Sequence, residues 1–401
     1  MSLIKGASTI GGASVISQLI GAVTILFMSY RFGMPAVGNY ALTYSIVLIG
    51  AQIALYGSHI LIPKVDQFDI GKTVVFCMIQ SWGISAVYIY VISYFFDLPL
   101  FVLYVLTASY SMMIISEYIF LRNKIFHKLA IQRISVTSIV FLSLLISWKI
   151  EYFYYIWASV HLGLICYWLY VSLDKNDFSL NDFFPSTQFR FLVTHWNHLS
   201  RVGTAEVVAN ASLQLPTVLI NYWFSPLVAG YFAVVNRFCL SPVLILGQSV
   251  RNYTFSKWSE DFRNKTFNFS EFKQVRLFLI AIAIITVAGI YFVYPWLTEH
   301  VLGEQWVQSV ETSRLMLPYV FAMLAFVPMT VIELIFGTPN YFLRIQCEQL
   351  AIVILAFIII PFVYKSYVVS LLAFTMLTAI RYFMIYININ KHAISLRDEG
   401  I

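Results

Sequence analysis

Most of the side chains able to do chemistry in an apolar setting sit in one stretch near the middle of the chain. Glu206, Asn210, Gln214, Thr217 and Asn221 follow one another at intervals of four, four, three and four between Arg201 and Trp223. That spacing places them on one face of an α-helix. A carboxylate and three hydrogen-bonding side chains find no partners in hydrocarbon, so this face lines either a helix interface or a water-filled cavity. Arg237 follows within an apolar run, sharing a helical face with Gly230 and Ser241. A lone guanidinium at membrane depth is disfavoured by at least ~2.5 kcal/mol and must be compensated. Two chemistries do this: an ion pair with Glu206 or Glu333 that pins helices together, or a cavity arginine whose planar fork holds phosphate or carboxylate oxygens of an anionic substrate.

Other candidates are sparser. Glu117 and Glu333 stand near the same end of two apolar segments, 216 residues apart, and read as symmetric gate or coupling carboxylates. Arg122, Lys124, Lys128 and Arg133 form a basic cluster that either anchors the chain beside anionic lipid or receives a phosphorylated substrate. His195 and His198, three apart, have the spacing of a metal pair, but no carboxylate or cysteine nearby completes a site, so they read as interfacial polar residues. Cys77, Cys166, Cys239 and Cys347 lie far apart in apolar stretches and read as small core residues. With no phosphate-cradling glycine loop, no HExxH and no serine elbow, the sequence calls for no catalytic residues, no metal and no cofactor.

The elements that position these residues are membrane spans. Hydrophobic residues make up 60% of the chain, charged residues only 11%, and the mean hydropathy is +0.79. This composition excludes a soluble globular protein and indicates an all-α polytopic membrane protein. Twelve segments are long enough to cross a bilayer: Ala7 to Tyr30, Val37 to Pro63, Thr73 to Phe96, Leu98 to Leu121, Leu129 to Trp148, Tyr152 to Leu173, Leu199 to Trp223, Leu227 to Val250, Leu277 to Leu297, Thr312 to Gly337, Tyr341 to Tyr364 and Tyr367 to Asn390. The first carries Ser8, Gly12, Ser17 and Gly21, which admit a close neighbouring helix. It is too long for a cleavable signal and stays as a span.

The chain also repeats itself. Tyr30-Arg31-Phe32 falls on Tyr222-Trp223-Phe224, 192 residues on, and at the same offset Gly38 meets Gly230, Tyr40 meets Phe232 and Ala41 meets Ala233. The offset carries Gln18 onto Asn210, Ser14 onto Glu206 and Ser29 onto Asn221, so the first span has a fainter polar stripe in register with that of the seventh. This is the layout of two related six-helix bundles around a central cavity, residues 1–173 and 199–401. The connection 174–198 alternates polar residues with Phe178, Phe183, Phe184, Phe189, Phe191 and Trp196, as a segment lying on the membrane surface does. With both termini cytoplasmic, nineteen of the 25 lysines and arginines fall on the cytoplasmic side and only Arg31, Lys149, Arg314 and Lys365 on the other. The positive-inside rule fixes that orientation. The net charge of +6 is therefore anchoring charge and implies no nucleic-acid partner.

Gly38-Asn39-Tyr40-Ala41-Leu42 after a short turn, Gly230-Tyr231-Phe232-Ala233 followed by Arg237, and Arg122 with Ile131-Gln132-Arg133 resemble polysaccharide flippases, the O-antigen-type translocases of the multidrug/oligosaccharidyl-lipid/polysaccharide (MOP) exporter superfamily. The resemblance covers nearly the whole chain through degenerate motifs. It implies that the protein moves an undecaprenyl-diphosphate-linked oligosaccharide from the cytoplasmic to the outer leaflet of a bacterial inner membrane for O-antigen and lipopolysaccharide biosynthesis. On that implication Glu206, Asn210, Gln214 and Gln18 meet sugar hydroxyls, Arg237 with Arg31 holds the diphosphate, and the tail stays in lipid. Its partners are the lipid-linked substrate, membrane lipids and other polysaccharide-assembly membrane proteins. A drug/cation antiporter of the same superfamily, a polysaccharide polymerase and a scaffold membrane protein remain alternative readings.

Overall fold

The computed structural model describes residues 3–66, 69–173, 180–263, 265–336 and 339–398. Residues 174–179 of the surface connection, the His198 side chain, the Lys5 and Ser8 side chains and Gly337 lie outside the described residues. Among the described residues there is no strand. In chain order the helices are α1 (Leu3–Phe32), α2 (Met34–Leu55), α3 (Ile70–Ile92), α4 (Leu100–Arg122), α5 (Phe126–Ile146), α6 (Ile150–Ser172), α7 (Pro185–His198), α8 (Thr204–Trp223), α9 (Pro226–Val235), α10 (Ser241–Arg263), α11 (Phe269–Leu297), α12 (Ser309–Leu315), α13 (Leu317–Ala325), α14 (Val331–Ile335), α15 (Pro339–Ile354), α16 (Ile360–Val363) and α17 (Tyr367–Asp398).

The turns have local causes. Gly33 separates α1 from α2 at φ +82°, a conformation open to glycine at little cost. The repeat-related turn uses different chemistry: Ser225 caps α9 by accepting the Val228 N–H at 3.2 Å, and Pro226 occupies the first helical turn, where its missing N–H is no loss. Pro318 opens α13 after a 55° bend from α12. Asn268 caps α11 by accepting the Glu271 N–H.

Ten helical stretches are long and apolar enough to cross a membrane, eleven with the bent stretch through α12–α14. The twelfth expected span is present as a helix, α8, but its polar stripe lowers its hydropathy below that of a membrane span. The fold is thus that of an all-α, multi-pass membrane protein. The spans are also less regular than a hydropathy reading implies. Single π-helical turns interrupt them at Leu199–Gly203, Asn236–Leu240, Thr298–Leu302 and Leu355–Ile359.

The chain forms two compact units: Met1–Phe32 with Tyr40–Gln214, and Gly33–Asn39 with Leu215–Ile401. In the first, Val74, Cys77, Met112, Ile115 and Ile165 form an aliphatic core between α3, α4 and α6. Beside it Tyr110 stacks on His161, whose Nδ1 meets the Ser109 hydroxyl at 2.8 Å. In the second, Phe232, Val235, Trp258, Phe272, Phe357 and Phe374 belong to one aromatic-rich core. Two sequence expectations fail here. Cys77 and Cys239 are buried as expected, but Cys166 and Cys347 are exposed on α6 and α15, because an outward face of a membrane helix is as apolar as its core face and composition cannot separate them. A Cβ on Gly12 meets nothing within 4 Å, so no helix packs closely there.

Candidate functional site

The polar stripe of α8 is held by α2. Asn221 Nδ2 donates to the Gly38 carbonyl at 3.5 Å, Ser45 Oγ donates to Gln214 Oε1 at 3.1 Å, Gln52 Nε2 donates to Glu206 Oε2 at 3.3 Å, and the Tyr56 and Thr204 hydroxyls meet at 2.8 Å. The partners descend α8 as they climb α2, so the two helices run antiparallel with polar rungs between them. On α2 the rungs fall at intervals of seven, seven and four, one face of that helix. The ladder resolves part of the choice left by the sequence: this face is a helix interface. It is not a sealed one. Glu206, Asn210, Gln214 and Asn221 are only half-buried, while Thr217 is buried. Asn210 Oδ1 is a buried acceptor with no hydrogen-bond partner among the described residues, and so is Gln18 Oε1, its counterpart across the repeat. An unmet buried acceptor costs roughly 1–3 kcal/mol unless water or a ligand supplies a donor.

The repeat itself is visible in the packing of the two hairpins. A Cβ placed on Gly38 falls 1.8 Å from the Pro226 carbonyl oxygen and 2.9 Å from the Gly230 nitrogen. One placed on Gly230 falls 2.5 Å from the Met34 carbonyl oxygen. Met34 and Pro226 are themselves related by the 192-residue offset, so each hairpin meets the other with the same backbone atoms. Only glycine permits helix starts to touch this closely.

Arg237 lies in the π-helical turn Asn236–Leu240 and is partly buried. This interrupts the uniform α-helical face expected through Gly230, Arg237 and Ser241, since a π turn adds a residue and rotates every later side chain about the helix axis. Single π turns of this type occur often at functional positions. The candidate partners named from sequence are engaged with other groups: Glu206 with Gln52, and Glu333 through Oε1 with His392 Nδ1 at 3.0 Å.

Glu117 is paired bidentately with Arg133, at 3.2 and 3.3 Å, joining α4 to α5. Glu117 and Glu333 thus both clamp one helix to a neighbour within their own unit. Arg122 donates to the Ile62 and Val65 carbonyls beyond the end of α2. With Arg133 committed to Glu117, the two arginines of the basic cluster both have structural work. Arg31 is exposed, donates to the Leu144 and Leu145 carbonyls at the end of α5 and lies over the Phe27 and Phe32 rings.

Sequence reasoning missed one dense charge network. Arg344 and Glu348 pair at 2.7 Å, as their spacing predicts. Arg381, buried on α17, also reaches Glu348 at 3.2 Å, donates to Gln349 Oε1 at 3.0 Å and to the Ile345 carbonyl, and lies over the Tyr382 ring. An isolated intramembrane arginine was the only sequence signal for it. Among the described residues no cluster of three metal-ligating side chains exists.

No protein-family model matches the chain, and no curated protein matches it by sequence. Solved structures do match its fold. The lipid II flippase MurJ in an inward closed conformation superposes with a TM-score of 0.71 at 13% identity, over 94% of this chain and 86% of that one. The MATE multidrug transporter DinF-BH in complex with R6G gives 0.63 at 12% identity over 98% and 96%. A MOP superfamily transporter from Pyrococcus furiosus gives 0.51 at 13% identity over 98% and 96%. The protein therefore belongs, by fold, to the class of polytopic helical membrane proteins whose solved structures are flippases and transporters of the MOP superfamily.

Proposed function

We propose that this chain flips an undecaprenyl-diphosphate-linked oligosaccharide from the cytoplasmic to the outer leaflet of a bacterial inner membrane, by alternating access, as an O-antigen-type flippase serving surface polysaccharide and lipopolysaccharide assembly. We assign residues 1–173 and 199–401 to two six-helix bundles, 174–198 to a connection on the membrane surface, and both termini to the cytoplasm. The observation that carries the reading is the incompletely satisfied polar ladder of α8, half-buried in a fold that a lipid II flippase shares. Sugars offer many hydroxyl donors to acceptors such as Asn210 Oδ1 and Gln18 Oε1. Glu206 and Gln214 present carboxylate and amide atoms on the same face, and Arg237 supplies a fork for diphosphate oxygens.

No catalytic residue, metal or cofactor enters this scheme. A diphosphate with about two negative charges, moving outward from an inside-negative cytoplasm, gains up to roughly 4–5 kcal/mol per 100 mV. Ion antiport through a carboxylate such as Glu206 or Glu333 is the other source of drive. The partners are the lipid-linked oligosaccharide, the surrounding lipids and other membrane proteins of polysaccharide assembly. The MATE structures favour one second reading, a drug/cation antiporter.

Complementation of cells lacking their own O-unit flippase separates the two. Wild type restores surface polymer and Arg237→Ala does not, whereas Arg237→Lys restores it in part. Polymer restored equally by Arg237→Ala removes the arginine from the mechanism. Drug efflux left intact by that substitution, without any polymer from wild type, favours the antiporter.

A further inference from the structure

Helix α7 has three faces. Gln188, Phe191 and Leu199 just beyond its end are buried against the first unit. Arg190, Thr194 and Asn197 are exposed and polar. Phe189, Val193 and Trp196 are 68%, 60% and 57% exposed, a third face that is apolar yet uncovered. Such a helix sits at the membrane surface with its uncovered apolar face among acyl chains.

Between α7 and the second and third turns of α3 lies a cavity of about 310 Å³, walled by Phe76, Ile79, Phe183, Phe189 and Leu192. Ile79, Phe183 and Phe189 are more than half exposed, so the mouth is apolar and faces outward. The amide nitrogens on its wall are already used: Gln80 Nε2 donates to the Ala54 and Leu55 carbonyls, and Gln188 Nε2 to those of Lys72 and Asp182. What remains is one acceptor, Gln188 Oε1, buried without a hydrogen-bond partner among the described residues in a side chain only 8% exposed. At the rim stand Lys72, over the Phe191 ring and 3.7 Å from Asp69, and the exposed Arg190.

We propose that this cavity is a binding site for an anionic glycerophospholipid of the cytoplasmic leaflet, one acyl chain entering between α3 and α7. A hydrocarbon chain suits walls that offer no free donor. A basic rim suits an anionic headgroup, and a glycerol hydroxyl suits the unmet acceptor on Gln188. The site holds α7 to α3 through a lipid and stands whether or not the chain moves a lipid-linked substrate.

The test is native mass spectrometry of the full chain extracted from vesicles of equal parts phosphatidylglycerol and phosphatidylcholine. Wild type retains one phosphatidylglycerol in preference to phosphatidylcholine. Ile79→Trp, which fills the cavity, loses it. Arg190→Glu alters only an exposed residue and lowers the preference about fivefold or more, the effect of one basic residue at an anionic surface. Equal retention of the two lipids by wild type overturns the site, as does retention by Ile79→Trp and Arg190→Glu at the wild-type level. Should Ile79→Trp fail to fold, the Arg190→Glu ratio decides alone. Displacement of the bound lipid by undecaprenyl phosphate overturns it too, since the cavity then belongs to a polyprenyl tail.

Discussion

Helices α1 and α8 open the two halves of a repeat, yet they spend their polar residues differently. On α1, Ser14 and Ser29 turn back onto their own helix, donating to the Ile10 and Leu26 carbonyls, and Val15, Ile16, Leu19 and Val23 are exposed as lipid-facing residues are. On α8 the equivalent positions are Glu206 and Asn221, and both reach across to α2. The backbone frame has stayed symmetric, down to the reciprocal contacts of Gly38 and Gly230, while the polar chemistry has collected in one half. A duplicated transporter needs both: matched hairpins for a repeated geometry and unmatched side chains for a substrate without symmetry.

The largest expected effect breaks the shared frame. Gly38→Leu drives a side chain into the Pro226 carbonyl and is expected to cost upwards of ~3 kcal/mol, enough to abolish accumulation of folded protein in membranes. Gly230→Leu does the same at the reciprocal contact, and Gly12→Leu, with open space around it, leaves the amount of protein unchanged. Tolerance of leucine at both glycines would remove the symmetric frame.

The charge networks come next. Arg381→Ala leaves Glu348 and Gln349 in a half-buried site and is expected to cost about 3–5 kcal/mol. Arg133→Ala, in the more exposed Arg133–Glu117 pair of the first half, costs about 1 kcal/mol. Thermal unfolding in detergent ranks them, and equal losses contradict the asymmetry between halves.

A smaller effect sharpens the helix comparison itself. Gln52→Leu strands Glu206 and is expected to cost about 1–3 kcal/mol, whereas Ser14→Ala on α1 stays within about 0.5 kcal/mol. A double-mutant cycle of Gln52→Leu with Glu206→Leu yields a coupling of roughly 0.5–3 kcal/mol if the rung is real, and none if the two side chains act independently.

Much of this was legible in the sequence because membranes impose strong rules. Length and hydropathy located the helices, the polar spacing on α8 located the stripe, and a single offset located the reciprocal hairpins. Gly38 and Gln52, fourteen apart on α2, were the only hint of the face that receives the stripe, since sequence periodicity names a face and not its partner. The π turn at Arg237 left no signal, because one extra residue in a turn leaves hydropathy unchanged. The fates of Glu117, Arg122 and Glu333 depended on neighbours distant in sequence, so charges that looked available from spacing turned out to be engaged with Arg133, with backbone carbonyls and with His392.

The central claim, that the α8 face handles the polar head of a lipid-linked substrate, is tested most directly in proteoliposomes holding the purified chain and an undecaprenyl-diphosphate oligosaccharide. Transfer to the leaflet shielded from an added glycan-modifying enzyme is the readout. The account predicts transfer by wild type, and a loss of about tenfold or more with Glu206→Ala or Arg237→Ala, equivalent to ~1.4 kcal/mol or more of lost interaction each. Transfer at the wild-type rate by both variants would contradict it.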